Sequence, residues 1–85
     1  MKQVTIYSGP MCNYCEAAKR LLNKKKIQFK EINISKEESK KEEMLKKSNG
    51  AKTIPQIFID DHHVGGYDEL KTLNNEGKLD NLLSD

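Results

Sequence analysis

The chain has 85 residues, of which 35% are apolar and 33% are charged, and its formal net charge is +2. Its mean hydropathy is −0.81, and no segment approaches the ~18–20 consecutive apolar residues that a membrane span needs. We therefore expect neither a transmembrane protein nor a secreted one, because the first residues also lack the apolar block of a signal peptide. The length favours one compact domain over residues 1–85.

The first third of the chain predicts a strand, a helix and a second strand. Residues 2–8 alternate apolar and polar side chains, which is typical of a strand, and Gly9-Pro10 interrupts them. Residues 13–25 carry apolar side chains at helical spacing: Tyr14, Ala17, Ala18, Leu21 and Leu22. Residues 27–34 alternate again. Two strands joined by a crossover helix form a βαβ unit, whose strands are parallel.

The second helix should be largely charged and lie on the surface. It is predicted over residues 36–47, where Met44 and Leu45 are the only large apolar residues. Ser35 followed by Glu38 matches a capping box that would open the helix. Asn49-Gly50 should end it, because Gly and Asn are favoured just past a helix C-terminus.

The last third predicts a hairpin followed by a third helix. Strands over residues 56–59 and 62–65 are joined by the turn Asp60-Asp61. A helix over residues 67–75 follows and is closed by Gly77. The final leucines should fold back onto the core: Leu79, Leu82 and Leu83.

The charged residues are unevenly distributed along the chain. Residues 1–30 hold seven basic residues and one acidic residue, whereas residues 31–85 hold eight basic and twelve acidic residues. Arg20 is the single arginine, and no aromatic side chains interleave with the lysines as base-stacking platforms would. We therefore expect no nucleic-acid partner, and a mildly positive setting for a small anion instead.

Cys12 and Cys15 are the only two cysteines, and their spacing is the strongest indication of function in the sequence. A loop this short constrains little chain, so a structural disulfide is disfavoured. Cys12 should lie at a helix N-terminus, where the helix dipole and unpaired N–H groups stabilise a thiolate. Cys15 lies about one turn further on and should be less exposed. We expect Cys12 to attack a disulfide and Cys15 to resolve the mixed disulfide.

Two metal-binding interpretations are alternatives to this redox interpretation. Half of a zinc site would need further ligands, but the chain has no other cysteine, and His62 and His63 are adjacent in a predicted turn. Small copper-carrying domains use Met-x-Cys-x-x-Cys, whereas Met11 directly precedes Cys12 here, and the predicted element order also differs. A Cys-x-x-Cys motif near a βαβ unit is instead typical of thioredoxin-like redox proteins.

Two downstream segments allow both a structural and a functional interpretation. Pro55 is either a first-strand proline that donates no hydrogen bond or a cis proline that directs the backbone of Ile54 toward the active site. Gly65-Gly66 followed by Asp68 is either a turn with a helix cap or a ligand site. In the second case, helix N–H groups would bind a carboxylate and Asp68 would face an ammonium group.

Taken together, these segments resemble the glutaredoxin family, specifically its short dithiol bacterial type. The resemblance runs nearly from end to end and rests on residues 4–7, 12–15, 41–44, 53–59 and 65–70. It implies an α/β, thioredoxin-like fold in the order β-α-β-α-β-β-α, with a four-stranded mixed sheet and three flanking helices. The implied activity is that of a glutathione-disulfide oxidoreductase acting through Cys12 and Cys15.

The resemblance also implies a cis peptide bond at Pro55 and a glutathione site drawn from three segments: Tyr14, Thr53, Ile54, Pro55, Gly66, Tyr67 and Asp68. The backbone of Ile54 would pair with the cysteine residue of glutathione, and the last three residues would hold its γ-glutamyl end. Many relatives carry Pro at the position of Asn13 and Lys at the position of Gly9, and this chain departs from both.

The implied partners are glutathione, as reductant, and disulfide-bonded or glutathionylated proteins, with ribonucleotide reductase among the proteins that the family serves. Glutathione reductase would recycle the oxidised glutathione. We expect a cytoplasmic monomer without metal or membrane partners. Two alternatives remain: a redoxin reduced by thioredoxin reductase, and a non-enzymatic carrier that holds a [2Fe–2S] cluster through Cys12 and glutathione. His62 and His63 are assigned no chemistry.

Overall fold

A computed structural model describes residues 2–84. The helices and strands are, in chain order, β1 (Val4–Ser8), α1 (Asn13–Lys24), β2 (Phe29–Asn33), α2 (Glu38–Lys47), β3 (Gln56–Ile59), β4 (His62–Gly65), α3 (Tyr67–Asn75) and α4 (Leu79–Leu83). None of the helices in this described range is long and apolar enough to cross a membrane.

The strands form a four-stranded mixed sheet in the order β2-β1-β3-β4. β1 runs parallel to β2 and antiparallel to β3, and β4 pairs antiparallel with β3. A parallel neighbour needs a crossover connection, which α1 supplies, whereas the β3–β4 hairpin turns at Asp60 in the left-handed region, with φ of 50°. The predicted α/β architecture, the βαβ unit and the hairpin are confirmed.

Alternating strand residues divide the core between the two faces of the sheet. On one face, Val4 and Ile6 of β1 pack in a buried cluster with residues of α1, α3 and α4. On the other face, Tyr7 of β1 and Phe58 of β3 pack with Met44, the buried apolar residue of α2. α1 and α3 therefore lie on the same side of the sheet, and their N-termini can meet at one end of it.

The predicted capping box of α2 is wrong. The helix begins at Glu38 rather than at residue 36, and its N-cap residue, Glu37, makes no side-chain capping hydrogen bond. Ser35 is held elsewhere, because its backbone N–H and its hydroxyl both donate to Asn33 Oδ1, at 2.9 and 2.6 Å. An Asn side chain that captures a nearby backbone N–H competes with helix initiation, and here it delays the helix.

The ends of other elements also differ from the prediction. β1 begins at Val4 rather than at residue 2, and β2 covers Phe29–Asn33 rather than residues 27–34. Ile27 instead donates its N–H to Leu22 O at 2.9 Å and so completes the end of α1. The predicted return of the last leucines to the core is confirmed, but they do so as a fourth helix, in which Leu79 and Leu83 are buried.

Candidate active site

Cys12 is the N-cap residue of α1, and its sulfur takes the role that a Ser or Asp oxygen usually has there. Its backbone is extended, and Cys12 Sγ accepts the N–H of Cys15 at 3.1 Å. The two cysteines form a disulfide, and their Cα atoms lie 5.2 Å apart. In the reduced state the same N–H group and the positive end of the helix dipole favour a thiolate at Cys12.

The two sulfur-bearing residues differ strongly in exposure. Cys15 has an exposed fraction of 0%, whereas Cys12 is half-buried. The residues beside Cys12 are open to solvent, with exposed fractions of 103% for Met11 and 64% for Tyr14. An incoming disulfide can therefore reach Cys12 but not Cys15.

The loop before β3 approaches Cys12 from the other side. The Ile54–Pro55 peptide bond is cis, which confirms the cis proline that the family resemblance implied. The carbonyl oxygen of Ile54 lies 3.8 Å from Cys12 Sγ. The backbone of residue 54 therefore lies next to the reactive sulfur, where an extended thiol ligand could pair with it.

The N-terminus of α3 completes the group of segments. The rings of Tyr14 and Tyr67 stack with centroids 6.1 Å apart and an interplanar angle of 28°. An ideal Cβ on Gly66 would lie 3.5 Å from the carbonyl oxygen of Pro55. The segments around Cys12, Ile54 and Gly66, which are far apart in sequence, are therefore neighbours in space.

Gly66 is the N-cap residue of α3, and its own amide is already engaged. The Gly66 N–H donates to Glu69 Oε1 at 2.7 Å, which is the reciprocal half of a capping box. The amides of Tyr67 and Asp68 follow it at the start of the helix, where backbone N–H groups lack intrahelical acceptors. Asp68 and Thr53 are exposed, at the edges of this region.

A buried amide supports the loop that carries Ile54, and the sequence interpretation missed it. Gln56 has an exposed fraction of only 4%. Its Nε2 donates to the carbonyl oxygen and to the hydroxyl oxygen of Thr53, at 2.9 and 3.2 Å. Because a carbonyl oxygen can only accept, Gln56 Oε1 is left to accept from His63 Nε2, 2.6 Å away. These bonds link β4 to the loop before the cis proline.

His63 therefore has a structural role that the sequence interpretation, which assigned it no chemistry, did not predict. It lies within β4, is half-buried, and stacks on Phe58 with ring centroids 4.8 Å apart. A polar residue directly after Pro55, at the start of an apolar strand, is the signal that could have revealed this arrangement, because a buried amide needs partners.

The side chain of Ile54 occupies the space above Gly9. An ideal Cβ on Gly9 would lie 2.8 Å from Ile54 Cδ1, closer than real Cβ atoms approach. The δ-methyl group of Ile54 therefore lies in space that a side chain at residue 9 would fill. This contact joins the two loops that flank Cys12, and no periodicity in the sequence points to it.

An ion-pair network connects α1 to β2 through Lys19, which lies one helical turn after Cys15. Lys19 Nζ lies 2.7 Å from Glu16 and 3.0 Å from Glu31, and the buried Ser8 hydroxyl donates to Glu31 at 2.7 Å. The hydrogen bond from Ser8, with that from Lys19, lowers the pKa of Glu31, and the two carboxylates raise the pKa of Lys19. The network steadies the helix that presents both cysteines.

Within residues 2–84, no group of three or more His, Cys, Asp or Glu side chains is placed to hold a metal ion. The chemistry that the described geometry supports is thiol–disulfide exchange between the two cysteines and an external sulfur.

Comparisons with known proteins agree with this arrangement. The family model described as Glutaredoxin matches residues 4–64. Glutaredoxin 3 of Escherichia coli is 48% identical over 83 residues, which are 98% of this chain and 99% of that protein. The solution structure of a glutaredoxin from Brucella melitensis has 48% identity and a TM-score of 0.83, over 98% of this chain and 89% of that one. A buckwheat glutaredoxin–glutathione complex has 25% identity and a TM-score of 0.84, over 94% of this chain and 74% of that one.

Proposed function

The chain belongs to the glutaredoxin family of thiol oxidoreductases, and we propose that it reduces glutathione mixed disulfides and protein disulfides with glutathione as electron donor. The observation that carries this proposal is the asymmetry of the two sulfurs. Cys12 is accessible and caps α1, whereas Cys15 is fully buried and within disulfide-bonding distance of it.

On a glutathionylated protein, the Cys12 thiolate attacks the sulfur of the glutathionyl group. A Cys12–glutathione disulfide forms, the substrate disulfide breaks, and the substrate thiolate leaves and takes up a proton. A second glutathione thiolate then attacks this intermediate, which releases oxidised glutathione and restores the Cys12 thiolate. This cycle uses one cysteine of the protein.

On a protein disulfide, both cysteines take part. Cys12 attacks one substrate sulfur and forms a mixed disulfide, and the other substrate sulfur leaves as a thiolate. Cys15, once deprotonated, attacks Cys12 Sγ, which closes the Cys12–Cys15 disulfide and releases the reduced substrate. One glutathione opens that disulfide through a Cys12–glutathione intermediate, and a second one completes the cycle as before.

The proposed glutathione site consists of the three segments that converge on Cys12: Tyr14, Thr53, Ile54, Pro55, Gly66, Tyr67 and Asp68. The carbonyl group of Ile54 is 3.8 Å from Cys12 Sγ, which favours backbone pairing with the cysteine residue of glutathione. Because Glu69 holds the Gly66 amide, we assign the γ-glutamyl carboxylate to the amides of Tyr67 and Asp68. The Asp68 carboxylate would face the ligand ammonium group.

Two coupled assays of NADPH oxidation test the electron donor. The purified protein is given the mixed disulfide of glutathione and 2-mercaptoethanol as substrate, with either glutathione plus glutathione reductase or thioredoxin reductase alone. We expect turnover only in the glutathione assay. Turnover with thioredoxin reductase alone would instead identify a thioredoxin-reductase-dependent redoxin and contradict the proposal.

A further inference from the structure

A cleft of about 410 Å³ lies between α1 and α3, and cationic side chains from both helices line it. α1 contributes Arg20 and Lys24, which are one helical turn apart, and α3 contributes Lys71. Asn74 and Asn75 add amide groups, and none of the described residues that line the cleft is acidic. We refer to this surface as the α1–α3 cleft.

The three cations of the cleft are not neutralised within the described part of the chain. Neighbouring lysines are paired: Lys19 lies against two glutamates, and Lys25 Nζ lies 2.9 Å from Asp80. Within residues 2–84, no ion pair involves Arg20, Lys24 or Lys71, and all three residues are exposed. Their positive charge is therefore directed at solvent or at a partner.

The α1–α3 cleft begins beside the reactive sulfur. Tyr67 lines one end of the cleft, and its ring stacks on that of Tyr14, two residues after Cys12. Both helices start at this end, α1 at Asn13 and α3 at Tyr67, and the cations lie further along each of them. A chain bound covalently at Cys12 could therefore continue over the tyrosine pair into the cleft.

We propose that the α1–α3 cleft docks an acidic segment of the protein substrate while its cysteine reacts at Cys12. This inference rests on the proposed function, because it names a class of partner for the same reaction. Arg20, the only arginine of the chain, presents a planar guanidinium group that can bind a carboxylate through two parallel hydrogen bonds. Complementary charge of this kind raises the encounter rate and selects among partners.

Helix geometry sets the spacing that a substrate needs. α1 rises about 1.5 Å per residue, so Arg20 and Lys24 lie roughly 12 and 18 Å along the helix axis from Cys12. An extended peptide covers about 3.3 Å per residue. The preferred acidic residues therefore lie about four to six positions from the reactive cysteine of the substrate.

Disulfide-linked homodimers of a single-cysteine peptide test the docking surface, because attack by Cys12 then bonds it to a peptide cysteine and releases the second copy as a thiol. One peptide carries Asp and Glu four to six positions from the cysteine, and its isosteric counterpart carries Asn and Gln there. We expect the native protein to have a higher kcat/KM for the acidic peptide. The triple variant Arg20→Gln, Lys24→Gln, Lys71→Gln should lose most of this preference, roughly eightfold if each exposed ion pair contributes a factor of about two.

A matched variant controls for net charge. Lys30→Gln, Lys41→Gln, Lys46→Gln removes three exposed positive charges elsewhere and should keep the preference for the acidic peptide. The reversed variant Arg20→Glu, Lys24→Glu, Lys71→Glu should instead prefer a peptide with Lys at the same positions. An equal loss of preference in both Gln variants, or no preference in the native protein, would overturn the proposal.

The small mixed disulfide of glutathione and 2-mercaptoethanol separates this inference from the proposed function. Its turnover should be the same in the native protein and in all three variants, because it should lie at the N-termini of α1 and α3 and stop short of the three cations. If the small substrate is turned over and the peptides show no preference, only the docking inference fails. If a single-stranded oligonucleotide of equal charge competes with the peptide more strongly than free acidic peptide does, the cleft is a nucleic-acid site and the proposal is overturned.

Discussion

Around Cys12, the geometry of the site depends on contacts between single residues of distant segments. The carbonyl oxygen of Ile54 lies beside Cys12 Sγ, and the side chain of the same residue covers Gly9. The position of the Ile54 side chain thus depends on residue 9 having no side chain of its own. Its backbone position, which we assign to glutathione binding, depends on that fit.

A side chain at residue 9 should disturb the site through Ile54. In Gly9→Ala, the new Cβ would approach Ile54 Cδ1 to 2.8 Å unless the isoleucine moves. A displaced rotamer costs about 0.5–1.5 kcal/mol, and we expect KM for glutathione to rise severalfold with a smaller change in kcat.

The double variant Gly9→Ala, Ile54→Val tests whether the effect passes through the δ-methyl group, because valine lacks it. Steady-state kinetics of the four proteins of this cycle should show that Ile54→Val reverses most of the effect of Gly9→Ala. Additive effects of the two substitutions would contradict the coupling.

Gln56 supports the same loop from inside the protein. In Gln56→Leu, the Thr53 carbonyl oxygen and His63 Nε2 both lose their partner. Each lost hydrogen bond costs about 0.5–1.5 kcal/mol, so the free energy of unfolding measured with urea should fall by about that amount. KM for glutathione should also rise, because Thr53 adjoins Ile54.

Gln28→Leu is the matched control, since Gln28 is exposed and its substitution removes no buried hydrogen bond. It should leave both the stability and KM within error of the native values. Equal effects of the two substitutions would remove the support for a special role of Gln56.

At the scale of whole elements, α2 is attached to the sheet by few contacts. It buries Met44 against Tyr7 and Phe58, and the Tyr7 hydroxyl donates to Glu43 Oε2 at 2.6 Å. This hydrogen bond lowers the pKa of Glu43, and nearby Lys40 and Lys47 lower it further against the opposing effect of burial. Burial and the adjacent carboxylate raise the pKa of Tyr7, which stays protonated and able to donate.

The Tyr7–Glu43 bond should make the attachment of α2 dependent on pH. A carboxyl group with a lowered pKa in the folded state stabilises the protein above its ordinary pKa of 4.5, and this contribution is lost as the pH falls through the lowered value. Tyr7→Phe should therefore reduce the free energy of unfolding by about 1 kcal/mol at pH 7, and the difference from native should shrink toward pH 3.

Urea unfolding of both proteins across this pH range measures the difference. Tyr14→Phe serves as the control, because Tyr14 is largely exposed, and it should show no comparable pH dependence. A Tyr7→Phe deficit that stays constant from pH 7 to pH 3 would contradict the role of ionised Glu43.

For the whole molecule, local patterns predicted most elements but not the contacts between them. The helical spacing around Leu21 and Leu22 and the strand alternation on either side were enough for the βαβ unit, because each pattern lies within one segment. The predicted capping box does not form, because Asn33 Oδ1 accepts hydrogen bonds from both the backbone N–H and the hydroxyl of Ser35. A motif match does not include such a competitor for the same backbone groups.

In the candidate site, too, local sequence patterns predicted some features, whereas contacts between distant segments were not predicted. The roles expected of Cys12 and Cys15 follow from their place at a helix start, which the sequence pattern already indicated. The Gln56–His63 bond could not be predicted, because it depends on how β3 and β4 align, and that pairing shifts register between Ile57 and Phe58. The fit of Ile54 over Gly9 likewise joins loops that only the folded sheet brings together.

In the proposed mechanism Cys12 attacks and Cys15 resolves, and the two Cys→Ser variants distinguish these roles. Cys12→Ser and Cys15→Ser are each assayed for reduction of a glutathione mixed disulfide and of a protein disulfide. We predict that Cys12→Ser loses both activities, whereas Cys15→Ser keeps much of the first and loses the second. Equal loss of both activities in the two variants would contradict this division of roles.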